Sequence, residues 1–408
     1  MKFGKPTKEE MQMTTYAAEP EAEAVMLCRL TDVNYTVQMS GYLVDYYEKI
    51  RIKVLKPEGV RHAHMVIPFL KNQSPDNVGG TKFSLKSTTT GISATNSYFD
   101  SQSGSLMENA LGNYSDESVE ELKATAFNLE NGKMVKSTLK KGDIVRKEID
   151  KQHHQIEFTV PDVKVGTVIE VEYCLHSELF WLLHDWYAQC EIPVAYAKLD
   201  MEIPNYLIFN LEEHGIQRVT CTCVQGTMRY KLESDPLAAP TVVNTNHYVC
   251  VGRNLTAMPK DDFVWNMGDH CAGLTAELKQ YSLRGTMLLD YAKTWEQIDQ
   301  MLLEDNDLGK QMSDHSPLAK ELQEAKIEEI ASEQERAIAV FNMVMSKVDW
   351  NGRYEMWPAN TAETLKKGSG SNADINMLLI QSLQEVGIQA APVVLRTRDQ
   401  GLLPHNTT

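Results

Sequence analysis

Residues 368–395 read GSGSNADINMLLIQSLQEVGIQAAPVVL. A glycine–serine loop feeds a helix expected from about Ala373 to Val386, whose inward stripe is nearly all apolar. Gly387 supplies its C′ stop, because glycine takes positive φ at little cost. Gln389 to Arg396 then reads as a buried-type strand. Ser371 suits the N-cap of the helix, and Asp374 closes a capping box with it. A loop that opens a buried helix also presents free N–H groups and the positive end of the helix dipole. That environment favours an anion or a thiolate. An enzyme using it would set a cysteine at the helix start and bring a histidine from a neighbouring strand.

Upstream of this loop the pattern is helical. Met287 to Leu303 is expected as an amphipathic helix with Leu288, Tyr291, Trp295, Ile298 and Leu302 on one stripe. Pro317 to Ile330 reads as a second, acidic helix. Ser332-x-x-Glu335 forms a capping box for a third, with Ile338, Phe341, Met345 and Val348 as its apolar stripe. Trp350-Asn351-Gly352 and a polar loop lead into the glycine segment.

Before about residue 275 the period is two. In Tyr42 to Val54 one face carries Tyr42, Val44, Tyr46, Ile50, Ile52 and Val54, and the other Asp45, Tyr47, Lys49, Arg51 and Lys53. That alternation marks a half-buried strand. Pro57-Glu58-Gly59 ends it, and His62 to Leu70 returns. Leu122 to Leu129 and Met134 to Leu139 flank Asn131-Gly132, a strong hairpin signal. Further strands are expected at Gln155 to Val160, Val168 to Leu175, and within 191–212 and 218–232, with Gln225-Gly226 as a turn. Residues 72–118 are rich in Ser, Thr, Asn and Gly and read as a surface insertion or a binding loop. The first forty residues are mixed, with a short helix over Glu9 to Met13. The fold class is therefore α+β. Residues 1–40 form an N-terminal segment, 41–275 an antiparallel β-sandwich, and 276–408 a helical unit.

The length of 408 residues accommodates two or three domains at about 150 residues each. The net charge of -16 argues against a nucleic-acid partner, which demands a basic face. Half of that excess lies in residues 286–336, where thirteen acids meet five bases. Apolar runs such as Met377–Ile380 fall far short of the ~20 residues of a membrane span. The N-terminus shows no signal core. The seven cysteines contain no C-x-x-C, and Cys221 and Cys223 share one strand face, so they read as small apolar residues. His62 and His64 on one strand face, and His153-His154, lack completing ligands, so no metal is expected. The absence of a G-x-G-x-x-G after a strand and of a phosphate loop leaves nucleotide cofactors unsupported. His176, His184 and Asp185 lie among Phe180, Trp181 and Trp186 and read as interface packing.

The helical segments resemble the transglutaminase-like superfamily. The resemblance rests on Val348-Asp349-Trp350-Asn351-Gly352, on Leu365 through Asp374, and on Gly387-Ile388-Gln389-Ala390-Ala391-Pro392-Val393. Phe3-Gly4-Lys5, Glu130-Asn131-Gly132-Lys133, Val163 through Glu170, and Asp185-Trp186-Tyr187 through Val194 resemble the β-rich domain of unknown function that precedes such cores in bacterial envelope proteins. The resemblance implies a papain-like core, here its helical front part, incomplete at its C-terminus. It also implies export to the periplasm or cell surface.

In the family a nucleophilic cysteine stands two residues before the acid, here Asp374. That position is Asn372, and a carboxamide is no nucleophile for acyl transfer. No cysteine lies beyond Cys271. The family's histidine and acid come from downstream strands, and His405 reads as loop. The expected function is therefore a non-catalytic protein that binds a peptide, a protein or a cell-surface polymer. Its groove would involve Tyr354, Trp357, Ser369, Gly370, Ser371 and Asn372. The alternative is an acyl-transfer enzyme or peptidase that uses Ser369, Ser371 or downstream strands. A purely architectural role is the third reading.

Overall fold

The alternating stretch ending at Val54 forms one long strand in the middle of the large sheet, with one face on the core. The computed structural model describes residues 3–38, 41–71, 116–149, 153–230, 241–283, 287–290, 294–395 and 401. Most of the 72–118 segment, and His405, fall outside them.

The β half comprises β1 (Ala24–Gln38), β2 (Gly41–Val54), β3 (His64–Leu70), β4 (Glu117–Glu130), β5 (Lys133–Thr138), β6 (Val145–Glu148), β7 (His153–Thr159) and β8 (Val168–Ser177). It continues with β9 (Trp186–Tyr187), β10 (Val194–Pro204), β11 (Leu207–His214), β12 (Thr220–Tyr230), β13 (Thr241–Leu255), β14 (Gly273–Leu283) and β15 (Met287–Asp290). Eight strands make one large sheet in the order β12-β13-β10-β1-β2-β8-β4-β5. All its pairings are antiparallel except β1 with β10, where Asp32 faces Asp200. Two smaller sheets, β3-β7-β6 and β11-β14-β15 with β9 on β14, supply the opposing layer. A single core joins them: Val44, Tyr46 and Val171 of the large sheet cluster with Ile67, Phe69 and Leu274 of the small ones. The class is thus α+β with large, mainly antiparallel sheets. The β4–β5 hairpin turns at Asn131 and Gly132, both at positive φ, as the Asn-Gly pair predicts.

Several elements differ from the sequence reading. β1 lies wholly within the first forty residues. Its alternation is broken by a bulge between Met26 and Cys28, which hides the period. Gln225 and Gly226 sit within β12, opposite Asn246 and Thr245, and make no turn. A Cβ on Gly226 would lie 2.9 Å from the Thr245 hydroxyl, so glycine permits a close cross-strand approach. Cys221 and Cys250 are direct partners across β12 and β13 and form a disulfide. This corrects their reading as apolar thiols: the hairpin register brings together two residues 29 apart. His62 lies in a 3-10 turn (Pro57–Ala63), so it shares no strand face with His64.

The polar face of β2 is covered at its Arg51–Lys53 end, while Tyr47 on the same face is exposed. Arg51 and Lys53 are fully buried, because the N-terminal segment covers them. Thr7 and Glu10 form a capping box on α1 (Lys8–Gln12). Met11 then packs against Phe127 and Val168.

The helical half contains α2 (Trp295–Glu304), α3 (Ala319–Glu324), α4 (Glu333–Lys347), α5 (Thr361–Lys367) and α6 (Asn372–Glu385), with the short strands β16 (Asp349–Trp350) and β17 (Ser369–Gly370). Leu318, Leu322, Val340, Val344 and Leu378 form its own core. Where a helix is expected over 287–303, Met287–Asp290 is β15, paired with β14, and α2 starts at Trp295. The acidic helix over 317–330 breaks at Lys326, which takes a left-handed conformation. On α4, Ile338, Phe341 and Met345 are about half exposed, while Val340, Val344 and the C-cap residue Val348 are buried. Ser332 caps this helix through the Glu335 N–H. Residues 389–395 are not a strand; Val393 and Leu395 are exposed. No helix among the described residues is long and apolar enough to cross a membrane.

Candidate functional site

The glycine loop is held between two short parallel strands and two helices. Gly368, at φ +67°, ends α5. β17 then pairs with β16, Asp349 facing Ser369 and Trp350 facing Gly370. Gly370 has no room for a side chain: a Cβ would lie 2.8 Å from both Asp374 Cβ and Thr364 Cγ2. The close approach of this backbone to the start of α6 therefore requires glycine.

Ser371 is fully buried at the N-cap of α6. Its hydroxyl accepts from the Asp374 N–H at 3.2 Å, and Asp374 Oδ2 accepts from the Ser371 N–H at 2.8 Å. The capping box read from the sequence is thus complete. The second carboxylate oxygen of Asp374 accepts from the Ala359 N–H at 2.6 Å. Asn372 Oδ1 accepts from the Glu355 N–H at 2.6 Å, and the Asn372 N–H donates to Arg353 O at 3.2 Å. Asn372 and Asp374 together clasp residues 353–359 to the start of the helix.

The six groove residues are brought to one locality but differ in exposure. Tyr354 is 70% exposed, and its ring lies 5.2 Å from that of Trp350. The Trp350 indole N–H donates to Arg353 O, which fixes its ring beside the loop. Trp357 is half-buried, and its indole nitrogen has no partner among the described residues. Ser369 is exposed. Neither Ser369 nor Ser371 has a histidine hydrogen-bond partner among the described residues; His315 bonds Glu385 instead.

Beneath the loop lies a polar network that the sequence reading missed. The Thr361 hydroxyl donates to Gln381 Oε1 at 2.8 Å, and Gln381 Nε2 donates to Gln311 O at 2.7 Å. These groups are buried and mutually satisfied, so they fix α5 and α6 against the preceding segment.

The histidine and aromatic cluster lies in the β half. Phe180, Trp181 and Trp186 join its core. His184 Nε2 lies 2.7 Å from the fully buried carboxylate of Glu117, which also accepts from the Ser177 hydroxyl and the Leu70 N–H. Burial works to lower the His184 pKa. The Glu117 hydrogen bond and charge, with Asp185, outweigh it and hold the imidazole above its ordinary value.

His176 Nδ1 lies 2.6 Å from Asp45 Oδ1, and the Cys174 thiol donates weakly to the same oxygen. Thiol, imidazole and carboxylate are therefore adjacent. Burial and Asp45 push the thiol up to about 12, so it stays protonated and unreactive. Among the described residues, no set of three or more His, Cys, Asp or Glu could hold a metal ion.

No family model matches the chain. No curated protein matches its sequence. A solved structure from Parabacteroides distasonis, described as a putative protease, aligns at 12% identity with a TM-score of 0.45. The alignment covers 90% of this chain and 59% of that one, so this chain spans about three-fifths of its length.

Proposed function

We propose that this chain is a non-catalytic relative of the transglutaminase-like superfamily that binds a peptide or a cell-surface polymer outside the cytoplasm. The observation that carries the reading is the role of Asn372. It stands where the resemblance puts the nucleophile, and its amide oxygen is committed to the Glu355 N–H. Ser371 is likewise engaged as a helix cap. The exposed rings of Trp350 and Tyr354 give an extended chain an apolar surface to lie on. The Cys221–Cys250 disulfide suits an oxidising compartment.

The test is an amine-incorporation and peptide-cleavage assay on the native chain and on Asn372→Ala, paired with binding to peptide and glycan arrays. No turnover is expected from either protein, and Trp350→Ala with Tyr354→Ala should weaken array binding. Turnover by the native chain that disappears in Asn372→Ala would overturn the proposal.

A further inference from the structure

We propose that the cavity between the sheets of the β half binds a small uncharged amphipathic molecule, an apolar ring or short chain bearing one amide-like head. This site is separate from the glycine loop, and its reading does not depend on the function proposed there.

The cavity measures about 380 Å³, within the range of small-molecule sites. Protein cores are otherwise close-packed, with few voids larger than a water molecule. Its floor is a polar row across three neighbouring strands. Thr31 on β1 faces Glu48 on β2, and Glu48 faces Tyr173 on β8. Glu48 occupies an inward position of β2, between Tyr46 and Ile50, where the alternation calls for an apolar side chain. A carboxylate there is costly unless its oxygens are bonded.

Those oxygens are only partly engaged. Oε1 accepts from the Thr31 hydroxyl at 2.8 Å. Arg29 reaches both oxygens only at 3.4 Å, longer than the ~2.7–2.9 Å of a strong charge-assisted bond. Arg29 also donates to Tyr187 O. The Tyr173 hydroxyl has no hydrogen-bond partner among the described residues. Burial raises its pKa, so it remains a donor. Ile67, Phe69, Leu183, Leu199 and Met201 give the cavity apolar walls, with His153, His154 and His184 also on its lining.

Inside the cavity the charges are matched, and Asp185 is exposed at its rim, where water solvates it. Arg29 opposes Glu48, and His184 opposes Glu117. Asp185 at the rim accepts from the Tyr187 hydroxyl. A charged ligand would therefore lose its hydration without gaining a free counter-charge. A carboxamide fits this floor: its oxygen would accept from Arg29 and Tyr173, and its N–H would donate to Glu48. The apolar body would then lie against the aliphatic walls.

The experiment is calorimetric titration of the full chain with three probes that share one apolar body: cyclohexanecarboxamide, cyclohexanecarboxylate and cyclohexylmethylammonium. The amide should bind about tenfold or more tighter than either ion, because only it pairs with the floor without burying an unmatched charge. Tyr173→Phe should weaken the amide about fivefold, the loss of one hydrogen bond. Leu199→Trp should block binding. If that variant fails to fold, methyl resonances of Leu199 and Met201 in the native chain provide the readout and should shift with amide alone. Absence of amide binding, a charged probe binding as tightly, or amide-induced shifts confined to other residues would each overturn the proposal.

Discussion

The fully buried guanidinium of Arg51 donates to the Glu10 carboxylate at 2.9 Å, joining the second strand of the sheet to the N-terminal helix. Glu170 holds the other side of the guanidinium and also accepts from the Gly4 N–H. The Phe3 ring lies 5.2 Å from the charge. Residues 3–12 thus form the lid of a buried charge network rather than a loose leader.

Removing the central cation should be costly. Arg51→Ala leaves the buried carboxylates of Glu10 and Glu170 without the cation that hydrogen-bonds both of them. A loss of about 3–5 kcal/mol in unfolding free energy is expected by urea denaturation. Glu10→Gln keeps the helix cap and leaves Glu170 in place, so its loss should be clearly smaller. Equal losses would contradict this ranking.

Lys53 beside it gives a pH signature. Its ammonium donates to Met11 O at 2.8 Å and Gly166 O at 2.6 Å. Burial lowers its pKa from 10.5 to about 8, with Glu10 opposing. Below pH 8 the lysine is charged in both states, and the folded state bears the burial penalty. Above it, up to the unfolded value, the unfolded chain binds the extra proton, so stability should rise with pH. Urea midpoints of the native chain and Lys53→Met, compared near pH 7 and near pH 9.5, provide the check. The native chain should gain more than the variant; parallel curves would refute it.

The Cys221–Cys250 link closes a 29-residue separation at the edge of the large sheet. Its removal in Cys221→Ser with Cys250→Ser should cost on the order of 3 kcal/mol, from the loop entropy restored to the unfolded chain. The exposed Cys223 thiol lies two residues away. Blocking free thiols before digestion should therefore label Cys223 and leave Cys221 and Cys250 joined. Peptide mass mapping that finds Cys223 in the bridge would contradict the register.

What could be read from the sequence follows from how local each signal is. The capping box of Ser371 and Asp374 is legible because both partners lie within one helical turn. The inward face of β2 is legible because one sheet face meets the core. Its outward face is not, since only the docking of Glu10 explains why Arg51 and Lys53 are buried. On α4 two adjacent stripes are both apolar, and tertiary packing alone selects Val340 and Val344 over Ile338 and Phe341. The cavity floor depends on three strands in register, so its residues are 17 or more positions apart. The role of Asn372 was hidden for the same reason, because its partner lies 17 residues upstream.

That last contact makes the sharpest test of the glycine-loop clasp. Asn372→Ala leaves the Glu355 N–H without its acceptor, at a cost of about 1–2 kcal/mol. Asn372→Asp retains an acceptor and places a negative charge at the start of α6, where the helix dipole favours it. Asn372→Cys offers only a weak sulfur acceptor and should resemble alanine. Hydrogen exchange at the Glu355 amide distinguishes these cases directly. Protection should fall about tenfold in the alanine and cysteine variants and persist in the aspartate. Unchanged protection in Asn372→Ala would mean that the loop is held by Asp374 and β16–β17 pairing alone. The asparagine would then be free to meet a ligand, and the clasp argued for it would fail.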